Sequence, residues 1–444
     1  MVKFYNRIGE LAELNRIRDL SFTDHSRMTV ITGRRRIGKT QLITKAIAET
    51  PAVYLFVGRK NEALLCAEFA GEVSRALDVF VPGEIRSFRS LFQYLMELAR
   101  QRPFHLAIDE FQEFLTVNAS VYSDIQHIWD MYKNKSKMNL ILCGSLYSLM
   151  QKIFTDAKEP LFGRADNIIK LSPFDLGTLK EILKEHRPKF SSDELLALYT
   201  FTGGIPKYLE LLCDNSPLSI NGMIDFMVRD NSPFVDEGKN LLVEEFGKNY
   251  GAYFSILSAV SGGITTQHDI EAAVGDKSAG GYIKRLIEDY HVLSRRRPVL
   301  AKEGSQTVRY EITDNFLQFW FNYFDRYRSL IEIKNFTALK TLVKADYPAY
   351  SGRILERYFR QQFAESGQFR LIGSWWSPKG GAVEQNEIDI VALELEKKRA
   401  LAVEVKRQKK NFTSALLEAK AEHLKHKVLP DYDIECRCLT LEDM

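Results

Sequence analysis

Residues 30–42 read VITGRRRIGKTQL, and Gly33 to Thr40 fit the pattern Gly-x-x-x-x-Gly-Lys-Thr. An apolar, β-rich MTVIT (28–32) precedes the pattern and a helix-like KTQLITKAIAE (39–49) follows it. Strand, glycine-bounded turn, then helix is the context that separates a phosphate-cradling loop from an ordinary basic turn. Gly33 and Gly38 permit a tight backbone path that aims N–H groups at phosphate oxygens, and the helix adds the positive end of its dipole. Lys39 is then placed to reach the β and γ phosphates, with Thr40 Oγ1 on Mg²⁺. Arg34, Arg35, Arg36 and Ile37 supply the loop between the glycines, and Gln41 follows in the first helical turn. Four cations in eight residues imply a strongly anionic ligand. Because such a loop holds phosphate mainly through backbone, one arginine suffices at the nucleotide and the others are expected to face solvent or a partner.

Working outward, short apolar runs alternate with helical patterns from residue 28 to about 172: MTVIT, AVYLFVG, FHLAID, MNLILCG and NIIKL. Runs buried on both faces predict a parallel sheet with crossover helices. FHLAIDEFQ ends a strand in Asp109-Glu110, where the first acid is placed to hold Mg²⁺ and the second to orient or deprotonate water. LILCGSLYS ends another in Gly144-Ser145, whose hydroxyl either senses the γ-phosphate or caps the next helix. LFGRADNIIKL offers Arg164 as an arginine finger, with an ordinary surface arginine as the alternative.

Length predicts about three domains for 444 residues. We expect a P-loop core over 1–172, a helical lid over 173–244, a winged helix over 245–315, a helical connector over 316–344 and a last α/β unit over 345–444. The net charge of +3 is too small to imply nucleic acid by itself, so any basic surface must be local. Five cysteines without paired spacing, Cys143 among them in an apolar run that reads as core, predict a reducing compartment. With no long apolar stretch and no signal-like opening, the expectation is a cytoplasmic protein without a membrane partner.

With FYNRIGELAEL ahead of GRRRIGKT, then IDEFQ, CGS, FGRAD and GGIPKYLELL, the chain resembles the prokaryotic family often called archaeal ATPases, within the AAA+ and STAND-like assemblage. The resemblance implies ATP and Mg²⁺ as cofactors and oligomerisation as an option. It places Phe4, Arg7 and Glu10 beside the base and matches Gly204-Ile205-Pro206 to a lid signature, with Lys207 near a second sensor.

In the last unit, EIDIVALELEKKRALAVEVKRQKK (387–410) reads as two strands. Alternation puts Glu387 and Asp389 on one face, Glu404 and Lys406 on one face of the next strand, and Ile388, Ile390, Val403 and Val405 on buried faces. An acid followed by Glu-x-Lys on a neighbouring strand is the constellation of PD-(D/E)xK nucleases. There Asp389 and Glu404 would hold a metal, Lys406 would stabilise charge, and Glu356 on the preceding helix would add an acid. A solvated hairpin face is the plainer reading, and Ile-Asp stands where the pattern has Pro-Asp. DNA contact is expected from Lys406, Arg407, Lys409 and Lys410, and from the winged helix through Lys284, Arg285, Arg295, Arg296 and Arg297. The fold class read from the sequence is α/β: a P-loop parallel sheet with a helical lid, a winged helix and a restriction-endonuclease-like C-terminal domain. The reading is an ATPase coupled to a C-terminal DNA-binding or DNA-cleaving module; its rival is a nucleotide-dependent switch or scaffold with an inactive nuclease fold.

Overall fold

A computed structural model describes residues 4–247, 250–302, 304, 305, 307–376 and 387–444; the expected start of the first region, at residue 1, lies outside them. The chain forms two compact units that meet in sequence at Pro173–Phe174.

The first unit, Tyr5–Pro173, is built on β1 (Arg27–Thr32), β2 (Ala52–Phe56), β3 (Phe104–Asp109), β4 (Met138–Cys143) and β5 (Asn167–Lys170). All pair in parallel, in the order β2-β3-β4-β1-β5. β3 and β4 are buried at every residue, which is why both are continuous apolar runs rather than alternating ones. Helices Glu62–Leu77, Phe88–Leu98 and Ser120–Tyr132 carry apolar residues at helical spacing into a core with Phe92, Leu106, Trp129 and Leu140. The order has one functional consequence. β4 lies between β1, which feeds the glycine loop, and β3, which ends in Asp109, so the carboxyl ends of all three open at one edge.

The second unit begins with helices Leu176–His186, Ser192–Thr202, Pro206–Asn215, Ile220–Met227 and Glu237–Phe246. Helices Tyr250–Ser261, Gln267–Val274 and Ala279–Glu288 follow, with an antiparallel hairpin of β6 (Leu293–Arg296) and β7 (Arg309–Ile312), the plan of a winged helix. The aromatic run after it, including a π-helical Trp320–Asp325, is core: Phe319, Trp320, Phe321 and Phe324 are all buried. A 31-residue helix, Phe336–Ser366, leads into β8 (Leu371–Trp376), β9 (Glu387–Glu394), β10 (Arg399–Val405) and β11 (Asp433–Leu439). Their order is β11-β10-β9-β8, with β10 parallel to β11 and antiparallel to β9. Helix Ser414–Lys427 packs on this sheet through Leu417, Ala421 and Leu424. Ile388, Ile390, Val403 and Val405 are buried while Asp389, Glu404 and Lys406 are partly open, which is the expected alternation.

Candidate functional site

The glycine loop runs from β1 into helix Lys39–Ile47, whose N-cap, Gly38, has φ 91° and offers no side-chain acceptor to the first N–H groups. A helix start without a side-chain cap leaves donors for an anion. Gly33 has φ 152°, and a Cβ there would stand 2.9 Å from the Leu171 carbonyl oxygen, so a side chain does not fit. Arg36 adopts φ 68°, a left-handed conformation that turns the loop without a third glycine. Arg34 and Arg36 are partly buried and Arg35 is exposed, as is Gln41 one turn on. Lys39 is buried and its Nζ donates to the carbonyls of Gly33 (2.9 Å) and Arg34 (3.1 Å), so its charge sits inside the loop. Arg7, buried with φ 66°, donates from Nη2 to the carbonyls of Ile37 (3.3 Å) and Ser172 (2.7 Å) and pairs with Glu10 at 3.0 Å. It therefore braces the loop's backbone.

Asp109, at the end of β3, is the hub of the acidic side. Its Oδ2 accepts from Thr40 Oγ1 (3.1 Å) and from the Tyr54 hydroxyl, and its Oδ1 from Cys143 Sγ (2.8 Å) and the Glu110 amide (2.8 Å). Burial, and then Asp109's carboxylate, push the Tyr54 hydroxyl and the Cys143 thiol well up, so both remain protonated donors. The Thr40 hydroxyl and Asp109 carboxylate form a pair of hard oxygens that fits Mg²⁺.

Glu110 has φ 53°, which turns its side chain toward β4. There Oε2 accepts from Ser145 Oγ (2.7 Å), the Ser145 amide (3.2 Å) and Gln112 Nε2 (2.5 Å). The acid expected to handle water and the hydroxyl expected to sense phosphate are thus one hydrogen-bonded unit. Arg164 lies apart from this network: Nε and Nη2 reach Asp130 at 3.2 and 3.0 Å, and Nη1 reaches the Phe162 carbonyl at 3.0 Å. Pro206 opens helix Pro206–Asn215 in the second unit after the left-handed Gly203 and Gly204, and Lys207 pairs with Glu210. Tyr54 and Gln112 were not singled out from the sequence. Cys143 was read as core alone and has a second role as a donor to Asp109.

In the second unit Glu356, Asp389, Glu404 and Lys406 come together. Lys406 Nζ sits 2.8 Å from Glu404 Oε1, Lys420 3.3 Å from Oε2, and Asp389 Oδ2 accepts the Val405 amide at 2.8 Å. Burial and then Asp389's charge raise the Glu356 carboxyl to about 7; burial, and beyond it the charge of Glu404, raises Asp389 to about 6. Burial disfavours the Lys406 ammonium, but Glu404, Asp389 and Glu356 outweigh it and raise its pKa. Among the described residues no three acids or other ligating groups stand together as a ready metal site. The basic patches are exposed in part and tied down in part. Arg407 is tied to Asp193 and Ser351, both at 2.6 Å, and Arg296 to Glu311 at 2.9 Å and to Ser374. Lys284, Arg285, Arg295, Lys409 and Lys410 are exposed.

Comparison with known proteins places this geometry. Residues 4–212 match a family described as an ATPase domain predominantly from Archaea, and residues 320–423 one described as archaeal and bacterial proteins of unknown function. An uncharacterized protein of Methanocaldococcus jannaschii is 30% identical over 412 residues, covering 91% of this chain and 87% of that protein. The chain belongs to the archaeal ATPase family. Among solved structures, a Walker-type ATPase of Pyrococcus abyssi superposes with TM-score 0.54 at 18% identity, covering 72% of this chain and 96% of the other, and so shares the fold. The ORC2 protein of Aeropyrum pernix gives TM-score 0.49 at 13% identity over 77% of this chain and 96% of its own. In this archaeal ATPase, the first unit is a P-loop ATPase domain. No helix among the described residues is long and apolar enough to cross a membrane.

Proposed function

We propose that this archaeal ATPase binds ATP with Mg²⁺ at the glycine loop, hydrolyses it, and uses the nucleotide state to govern a C-terminal module that binds and cleaves DNA. Under this reading the loop amides, Lys39 and Thr40 hold the phosphates, and Thr40 with Asp109 holds the metal. Mg²⁺, when bound, neutralises charge on the phosphate oxygens. Glu110 accepts a proton from the attacking water as its oxygen bonds to the γ-phosphorus and the bond to the bridging oxygen breaks. Ser145, bonded to Glu110 Oε2, positions that carboxylate at 2.7 Å. In the C-terminal module Asp389 and Glu404 would supply oxygens to a divalent cation, Glu356 would add an acid nearby, and Lys406 would offset charge at the phosphodiester. The regions follow the divisions 1–172, 173–244, 245–315, 316–344 and 345–444, and the protein acts in the cytoplasm.

The observation that carries the nuclease half is geometric: Asp389 Oδ2 accepts the Val405 amide at 2.8 Å, which sets that acid beside the strand carrying the Glu404–Lys406 pair at 2.8 Å. Its test is Mg²⁺- or Mn²⁺-dependent cleavage of varied DNA by the wild type and Asp389→Ala, with DNA binding and ATP hydrolysis measured alongside. Cleavage lost in the variant while hydrolysis persists is expected. Equal cleavage by both proteins removes the assignment. A second reading, a nucleotide-dependent switch with an inactive nuclease fold, is favoured by Lys406 and Lys420 both sitting on Glu404; the absence of cleavage in wild type over many substrates selects it.

A further inference from the structure

Within the second unit a cleft of about 420 Å³ opens between the wing, the long helix Phe336–Ser366 and β8. Its charged lining is Arg295, Arg296, Arg297, Arg357, Arg360 and Glu311. Three of these guanidinium groups converge on one carboxylate oxygen: Glu311 Oε2 lies 2.9 Å from Arg296 Nη1, 3.6 Å from Arg357 Nη2 and 3.9 Å from Arg360 Nη2. Although burial disfavours its charge, Glu311 is held below the usual carboxylate range by these arginines. Even with Glu356, whose charge also acts on Arg296 and Arg360, two acids do not balance the four partly buried arginines Arg296, Arg297, Arg357 and Arg360. The strain shows at Arg360, where burial and Arg296's charge lower the guanidinium's affinity for its proton. Arg357 also donates to Asn315 Oδ1 at 3.1 Å, whereas the buried Nε of Arg297 has no partner among the described residues.

Buried like charges are costly unless an anion completes the set, and guanidinium forks match the paired oxygens of phosphate. The cleft is also wired to the acids. Ser374 lies at a register shift in β8; its hydroxyl accepts from Arg296 and donates to the Asp389 carbonyl at 2.6 Å. Glu356 and Arg360 are one helical turn apart on the same helix face. We propose that this arginine cleft binds a phosphate group and, resting on the nuclease reading of Asp389 and Glu404, that the phosphate belongs to a polynucleotide threaded past those acids.

The test uses the full-length protein in EDTA, so that cleavage does not interfere. Affinity for a fluorescent DNA duplex is measured over a salt series for wild type, Arg360→Gln and Arg297→Gln, with thermal melting in inorganic phosphate as a second arm. Each substitution is expected to weaken DNA binding about tenfold and to flatten the salt slope by about one. Millimolar phosphate is expected to raise the wild-type melting temperature and to leave the variants unmoved. Arg297, on the wing, keeps the test open if Arg360→Gln fails to fold. A phosphate-dependent shift with unchanged DNA binding supports the cleft and assigns it to a free phosphate compound. Unchanged affinity, slope and melting in Arg297→Gln and in any folded Arg360 variant overturns the proposal. Failure of the nuclease reading is seen separately, as cleavage that ignores Asp389→Ala.

Discussion

At the scale of single residues, the ATPase domain concentrates its chemistry in groups that hold one another. Lys39 satisfies itself on the carbonyls of Gly33 and Arg34, so a phosphate must attract it more strongly than two neutral acceptors do. A charge-assisted bond contributes about 1.5–3 kcal/mol, and Lys39→Ala should therefore weaken ATP binding roughly 10- to 100-fold in a nucleotide titration. Glu110→Gln should keep that affinity while single-turnover hydrolysis falls by about 10²-fold or more, because an amide cannot take the proton. Equal turnover would return Glu110 to a structural role. Glu356 gives a pH prediction. Burial, and then Asp389's charge, push its carboxyl up to about 7 from 4.5 for a free side chain, so the folded state binds the proton more tightly. The stability this contributes is complete below about pH 4.5 and is lost as pH rises through about 7. Glu356→Gln, measured by denaturant titration without divalent ions, should flatten that fall and be more stable than wild type at pH 8 by on the order of 2 kcal/mol. A variant that follows the wild-type profile would show that Glu356 is solvated.

At the scale of elements, the sheet was the most legible part of the sequence. Its three central strands are continuous apolar runs because both faces are covered, and MTVIT, FHLAID and MNLILCG leave little alternative to burial, whereas the edge strands β2 and β5 are only partly buried. The joining of Glu110 to Ser145 was not legible, because strand order brings β3 beside β4 and no local pattern states that neighbour. Gly144 follows β4 within this contact: a Cβ there would lie 2.0 Å from Gln112 Oε1 and 2.7 Å from Met150 Sδ. Gly144→Ala should cost about 1–3 kcal/mol in chemical denaturation and slow hydrolysis, since Gln112 must leave Glu110 to make room. Unaltered stability and rate would show that the Gln112 side chain moves freely. The wing was read as three cations for DNA contact, yet Arg296 is tied within the protein because Glu311 lies on the partner strand of the hairpin and Ser374 on a strand some eighty residues away. Such a long-range partner leaves no trace in SRRRP.

At the scale of the whole molecule, the order of regions was readable because each carries its own period, whereas a site built from several of them was readable only as separate acids and bases. Arg164 tests whether copies of the chain cooperate. Its bonds to Asp130 hold it at the surface, and an exposed pair of this kind contributes only about 0–1 kcal/mol, so it can open toward a neighbouring nucleotide. Mixing Arg164→Ala with Lys39→Ala protein should restore part of the hydrolysis lost in each alone; no recovery after demonstrated mixing places Arg164 in its own chain or outside catalysis. The long helix Phe336–Ser366 has a further consequence, for how its gene can vary. Before Glu356 it is pinned by Asp346 to Tyr323 (2.6 Å) and by Tyr347 to Asp193 (3.2 Å), and after Arg360 by Glu365 to the Leu176 amide (3.2 Å). Gaining or losing one codon between those pins would turn one half against the other by about 100° and shift it by about 1.5 Å. Acid and arginines could not then both keep their bearings, so this stretch should accept exchanges of residues while refusing any change in their number.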